Sequence, residues 1–334
     1  MFTVKPYFSD SFVCKADKCS DTCCAGWEID IDSETLSKYK NLQSCHYEKL
    51  MQGICSDNGV YSFRLKDNER CWFLAENGLC DIYSCLGKDN LCEICREHPR
   101  FYNYYDNAVE MGYGLCCEKV CELLSEDDDD FSLLIEGELP DDDYAQLFRL
   151  RNECFEIISD KNDDFSCKIN SLLRFASEVQ YEYFGDKFIF REKTDKKAIF
   201  DDVIELYSET EPINSFWSSI LSVLSDNIDR IAVESDKMGI CDIFCEKILS
   251  YILYRHLIEN AFCGDFFAGI CFAVAGVIFI HMLDCLTLST NGQLSMSDRI
   301  DNVKLWSKQV EYSQENTDLL SVESVRLFVD KEYI

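Results

Sequence analysis

The sequence predicts a mainly α-helical protein in which a cysteine-rich, partly irregular N-terminal region precedes a helical domain. Three observations carry that expectation. Fourteen of the twenty-one cysteines fall within the first 121 residues. Beyond residue 143, apolar residues recur at helical spacing while Gly and Pro are sparse. Between these regions, residues 126–143 (EDDDDFSLLIEGELPDDD) carry two acidic runs, a Gly and a Pro, a stretch that repels itself and resists helix. The expected organisation is a cysteine-rich metal-binding region over 1–125, an acidic linker over 126–143 and a helical domain over 144–334.

Along the first region, Ile29-Asp30-Ile31-Asp32 alternates briefly and Ser33-x-x-Leu36-x-x-Tyr39 then takes helical spacing, with Asp32 or Ser33 as its cap. Tyr61-Ser-Phe-Arg-Leu alternates over a strand's length. Asn77-Gly78 marks a turn. Pro99 disfavours a helical residue before it and so ends the segment leading to His98. Glu118 to Leu124 reads as a short helix. In the second region, helices are expected over Asp143–Ser159, Ser171–Phe184, Phe200–Tyr207, Ile213–Ile231 and Cys241–Phe262. Phe266–Leu283 holds no formally charged residue over eighteen positions, long enough to be weighed as a membrane span. It lacks a Lys/Arg flank, so a buried core helix without stable membrane insertion is the expectation.

The thiols suggest the chemistry. Cys14, Cys19, Cys23 and Cys24 form C-x4-C-x3-C-C ahead of Gly26-Trp27, and Cys92-x-x-Cys95 has the spacing of half a zinc site or a redox pair. Thiolates select iron–sulfur clusters, zinc or copper(I) over hard cations. The bland alternative is a set of small buried residues, the reading given to Cys241, Cys245, Cys263, Cys271 and Cys285 on apolar helices. No export signal opens the chain, so reduced thiols and a cytoplasmic setting are expected. There is no C-x3-C-x2-C triplet, no G-x-G-x-x-G loop and no phosphate loop. Histidine is limited to His46, His98, His256 and His281. The formal charge of −30 argues against nucleic acid, whose phosphates need a basic surface, and suits basic partners such as exposed lysines. Within Tyr251-x-x-Tyr254-Arg255-His256, the last three residues could bind a carboxylate or orient a substrate, or His256 could be a satisfied core histidine.

The order of these signals resembles the bacterial flagellin lysine-N-methylase family. Cys14-x4-Cys19-x3-Cys23-Cys24-x2-Trp27 resembles its opening block, and Cys71-Trp-Phe-Leu-Ala-Glu-Asn-Gly-Leu-Cys80-Asp-Ile-Tyr its C-x-F-L…G-L-C-x-I segment. Leu86-Gly87…Cys95-x3-Pro99-Arg100 and Leu115-Cys116-Cys117-Glu118 resemble two further segments, and Tyr254-Arg255-His256 a short aromatic-Arg-His element. Cys116 stands where the family tends to have Ser, Glu118 where it has Pro, and Cys45, Cys55, Cys85, Cys92 and Cys121 are extra. The resemblance implies methyl transfer from S-adenosylmethionine to lysines of flagellin. It implies an iron–sulfur cluster of the 4Fe–4S kind, with zinc as the alternative, on Cys14, Cys19, Cys23, Cys24, Cys71, Cys80, Cys95 and Cys117. Tyr254, Arg255 and His256 are the catalytic candidates, and Trp27 and Arg100 the candidates for holding the donor. An open iron could chelate the donor's amino-acid end, or the metal could only hold the fold together. The competing class is a non-catalytic metal-binding adaptor or storage protein.

Overall fold

Six strands, β1 (Phe2–Pro6), β2 (Ile54–Asp57), β3 (Val60–Phe63), β4 (Arg100–Tyr104), β5 (Ala108–Tyr113) and β6 (Leu133–Glu136), accompany fourteen α-helices among the described residues. The computed structural model describes residues 1–20, 22–188, 196–238 and 242–329. The mainly α expectation therefore holds. Four short helices, α1 (Ser33–Lys40), α2 (Tyr47–Gln52), α3 (Asp81–Leu86) and α4 (Glu93–Glu97), precede α5 (Glu118–Ser125). The long helices follow: α6 (Asp143–Ser159), α7 (Phe165–Val179), α8 (Lys196–Ser208), α9 (Ser215–Asp226), α10 (Ile228–Met238), α11 (Ile243–Phe262), α12 (Phe266–Asn291), α13 (Met296–Glu311) and α14 (Gln314–Glu323).

The chain builds two cores. The smaller gathers apolar side chains of residues 29–92 around α1, the β2–β3 hairpin and Phe73, with Cys71 and Cys92 buried in it. Asp32 caps α1, its carboxylate accepting from the Thr35 amide at 2.8 Å. The larger core takes in the long helices and a sheet of order β4-β5-β1-β6. There β1 runs parallel to β5 and antiparallel to β6, with Val4 opposite both Glu110 and Ile135. The strand β6 lies inside the acidic stretch, whose Leu133–Glu136 supplies the apolar residues that pairing needs. One buried ion pair fastens the sheet to α6. Arg151 donates to both oxygens of Glu110 at 2.7 and 2.6 Å, and Tyr144 adds its hydroxyl at 2.7 Å. Both charges are fully buried, so each needs the other to offset its lost hydration.

At the centre of the larger core lies α12. It has the length and apolarity of a membrane span, yet 94% of its most apolar window is buried by neighbouring helices. A helix apolar all round is then satisfied by protein on every side. Gly276 lets Trp306 of α13 approach, for a Cβ there would stand 2.8 Å from the indole ring. Four expected helices differ in detail, the one expected over Phe200–Tyr207 running from Lys196 to Ser208. Residues 213–231 break at Asn227, whose side chain bonds back to the Val223 carbonyl, leaving α9 and α10. The helix expected from Ser171 begins at Phe165 because Asp164 caps it. The one expected from Cys241 begins at Ile243, capped by Asp242, and Cys241 itself lies outside the described residues. Cys245, Cys271 and Cys285 are buried as expected of packing residues, whereas Cys263 is exposed where α11 ends.

Candidate functional site

The two cores meet along a seam made by loop residues 14–20 and 22–27, the Cys116–Cys117 turn and the C-terminal end of α13. Glu118, the first residue of α5, clamps that loop. Its carboxylate accepts from the Lys15 ammonium, from the Ser20 hydroxyl and from the Ser20 amide at 2.8 Å. Burial works against its charge, yet Lys15 and Ser20 hold the carboxyl at about 2. Further along the loop, the Cys71 amide donates to the Cys24 carbonyl at 2.8 Å, joining the loop to the small core. The Trp27 indole donates to the Cys23 carbonyl at 2.9 Å and stacks on Tyr312, centroids 5.0 Å apart. His98 completes this aromatic wall, 5.7 Å from Trp27 and 6.2 Å from Tyr312.

The eight thiols matched to a metal fall into two neighbourhoods. Cys14, Cys19, Cys23 and Cys117 lie within electrostatic reach of one another at the seam. Cys24, Cys71, Cys80 and Cys95, with Cys92, belong to the small core. Cys23 and Cys24 are hydrogen-bonded, which lowers the Cys24 thiol below its ordinary value. Cys92 and Cys95 pair in the same way, lowering Cys92. The donor chemistry suits a thiophilic ion. Among the described residues no group of three or more His, Cys, Asp or Glu is gathered as a metal site.

The aromatic-Arg-His element divides. Tyr254 is buried, its hydroxyl bonded to the Met111 and Val4 carbonyls at 2.8 and 3.1 Å, so it braces α11 against the sheet. Arg255 and His256 converge on Glu311 of α13, each 3.0 Å from Oε1, while the Ser307 hydroxyl donates to Oε2. Burial lowers His256, and the nearby Arg255 charge adds to that, against the pull of Glu311. Burial would raise the Glu311 carboxyl, but Arg255 and His256 bring it below its ordinary value. The result is an Arg⁺–Glu⁻ pair beside a neutral imidazole. Next to it, the buried Cys116 thiol is pushed up to about 12 by desolvation, against its hydrogen bond with Tyr312. Arg255 also lies over the Phe101 ring, 4.6 Å from its centroid.

His98 also lines a groove of about 590 Å³. Asp30, Asp32, Glu93 and Glu97 line it together with Phe101, Tyr102 and Tyr104. Tyr102 and Tyr104 are exposed and stack at 6.1 Å. Arg100 sits at the same groove and reaches Tyr113 and Phe12 at 5.5 and 5.6 Å from the ring centres. Burial, with the Lys308 charge beyond the wall, lowers the His98 imidazole to about 4, so it is uncharged at neutral pH. Glu311, Tyr312 and Lys308 were not singled out from the sequence. They lie on α13 or, for Tyr312, just past its end, in a stretch with no motif, and their partners lie on other segments.

No family model matches the chain, and no solved structure matches it at significance. The chain is similar to the flagellar biosynthetic protein FliU of Salmonella muenchen, 30% identical over 142 residues that make up 39% of this chain and 80% of that protein. It is also similar to the lysine-N-methylases of Salmonella typhimurium and Salmonella choleraesuis, 25% identical over 188 residues, or 53% of this chain. The match spans about half the length of each methylase, 47%.

Proposed function

The chain belongs to the family of the flagellar biosynthetic protein FliU, and from that premise we propose that it is a protein-lysine N-methyltransferase acting on flagellin with S-adenosylmethionine as donor. The observation that carries the reading is the acidic, aromatic groove ending at His98. A lysine side chain is an ammonium on a four-carbon stem. Carboxylates attract the head, and exposed tyrosine rings take the stem and favour the cation. A neutral His98 in the lining adds no repulsion.

Methylation needs the neutral amine, because the ammonium has no lone pair and is almost wholly charged near neutral pH. Partial desolvation against Phe101 and the wall favours loss of the proton, which a groove carboxylate accepts. The amine lone pair then forms an N–C bond as the donor's S–C bond breaks, and the sulfonium leaves as a neutral thioether. Positioning in line is the main contribution asked of the protein. The Arg255–Glu311–His256 hub fixes α11 against α13 and so holds the wall in place.

An iron–sulfur centre, or zinc, remains part of the proposal on the chemistry of the thiols, and no step is routed through it. The proposed setting is the cytoplasm, where thiols stay reduced. The test uses protein purified without oxygen, assayed for metal content and visible spectrum, then incubated with methyl-labelled donor and flagellin. Label on flagellin lysines is the expected result. No transfer by folded, metal-replete protein overturns the enzymatic reading in favour of a metal-binding adaptor.

A further inference from the structure

The larger sheet ends in an open strand. β4 is its outermost member and pairs with β5 on one side alone. Two contacts fix the phase of that ladder. The Gly114 amide donates to the Pro99 carbonyl at 2.7 Å, and Tyr105 and Ala108 exchange bonds at 2.9 and 3.3 Å. In an antiparallel pair, positions bonded in this way alternate with positions whose N–H and C=O point away. Phe101 and Asn103, opposite Gly112 and Glu110, therefore bond inward. Arg100, Tyr102 and Tyr104 present their main-chain groups outward, and among the described residues no backbone group meets them there.

All three of these residues line the acidic groove. So does Phe101, whose ring meets Arg255 on the opposite face of the sheet, so the groove follows the strand's edge rather than one face. Exposed edges are commonly blunted by Lys or Pro, and neither falls within Arg100–Tyr104. Tyr102 and Tyr104 stand there instead, 40% and 74% exposed. The rest of the lining is acidic. Asp32 is engaged by the Thr35 and Glu93 amides, and Glu97 by Arg96 at 3.2 Å. Among the described residues no ion pair engages Asp30 or Glu93. Arg100 lays its guanidinium by the Tyr113 and Phe12 rings.

Resting on the methyltransferase reading of this groove, we propose that the flagellin segment carrying the target lysine binds in extended form and adds to β4 as a fifth strand of the sheet. Main-chain bonds to Arg100, Tyr102 and Tyr104 hold the segment, a mode in which the backbone supplies affinity and alternate side chains supply specificity. Side chains on one face of the added strand fall beside Tyr102 and Tyr104, as cross-strand neighbours that cover a lysine stem. Asp30 and Glu93 draw the ammonium. At roughly 3.3 Å per residue, β4 reads about five residues around the lysine rather than the side chain alone. A second copy of this chain fits the edge poorly, because it would bring two acidic linings together.

The test is hydrogen exchange of the full chain, resolved to single amides, with and without monomeric flagellin. Without flagellin, the Tyr102 and Tyr104 amides are expected to exchange as solvent-exposed ones do, and those of Phe101 and Asn103 slowly. With it, Tyr102 and Tyr104 are expected to slow at least tenfold. In methyl transfer to flagellin, Tyr102→Pro removes an outward N–H and spares the β5 ladder. Its kcat/KM is expected at least tenfold below that of Tyr102→Val, which keeps the N–H. Thermal unfolding establishes that both variants are folded; should Tyr102→Pro not fold, the exchange measurement decides. Bound flagellin that leaves Tyr102 and Tyr104 unprotected, or equal transfer by the two folded variants, overturns strand addition, and label still reaching flagellin lysines leaves the methyltransferase reading standing. Protection by flagellin without methyl transfer keeps the added strand and removes the enzymatic reading. Protection that grows with the concentration of this chain alone assigns the edge to a second copy and overturns the proposal. Wild type that neither binds flagellin nor transfers a methyl group overturns both.

Discussion

Replacing Glu311 by Gln removes one charge from the hub that joins α11 to α13 and keeps the side chain's shape. Glu311 is 1% exposed and sits 3.0 Å from Arg255, which is 18% exposed. Two unit charges about 4 Å apart interact by about 4 kcal/mol at an effective dielectric of about 20. The partly exposed Arg255 recovers some hydration once unpaired, so the expected loss is about 2–3 kcal/mol, below the roughly 3–5 kcal/mol of a fully buried broken pair. Urea unfolding at about pH 7, followed by circular dichroism, measures it as a lower midpoint at unchanged slope. The pH dependence supplies an internal check. The folded carboxyl lies below its ordinary value, so its stabilisation is present above the unfolded value of about 4.3 and is lost as pH falls through the folded one. The gap between wild type and variant should therefore close in acid. A loss under about 0.5 kcal/mol, the size of an exposed pair, or a gap that widens below about pH 4, refutes the hub as described.

Other perturbations follow the same logic. Gly276→Ala forces a Cβ to 2.8 Å from the Trp306 ring, which is held by its bond to the Tyr207 hydroxyl, and should cost about 1–3 kcal/mol in thermal or urea unfolding. Gly269→Ala, whose nearest neighbour is the movable end of Leu257 at 2.9 Å, should cost less; equal losses would contradict the packing argument. Burial lowers His281 to about 4, so the unfolded chain takes up a proton near 6.5 that the fold refuses. Stability should fall between about pH 6.5 and 4 by up to about 3 kcal/mol from this group, and His281→Asn should flatten that slope. Glu93→Gln with Glu97→Gln should raise KM for flagellin several-fold at low salt, the difference shrinking at about 0.5 M salt as screening shortens; a salt-independent effect would remove steering from the groove's role.

Helical content was the most legible part of the fold. The bounds of α6 were expected as Asp143–Ser159 and are found so, because its apolar stripe is regular and Asp142 and Asp143 mark its start. The sheet was hidden. β1 and β5 pair across a separation that no local pattern reveals, and β6 lies in an acidic run where charge masks four pairing residues. At the site, Arg255 and His256 were visible as polar residues in an apolar helix. Glu311 was not, for a carboxylate on a soluble helix is ordinary until a partner buries it. Adjacent Cys23 and Cys24 point in different directions on most backbones, so the spacing leaves open that one serves another site. The chain divides at Cys23–Cys24, with Glu118 holding Ser20 on one side and the Cys71 amide drawing Cys24 to the small core.

The parallel pairing of Phe2–Pro6 with Ala108–Tyr113 has a bearing on how the chain is made. At about 5–20 residues per second, the ribosome takes roughly 5–20 s to deliver the later strand after the earlier one has emerged. Throughout that interval Phe2 and Val4 have no ladder to join, while the segment between them can already collapse around its own core. Until residues 108–113 emerge, the nascent chain thus carries an apolar strand whose protection falls to whatever meets it at the tunnel exit.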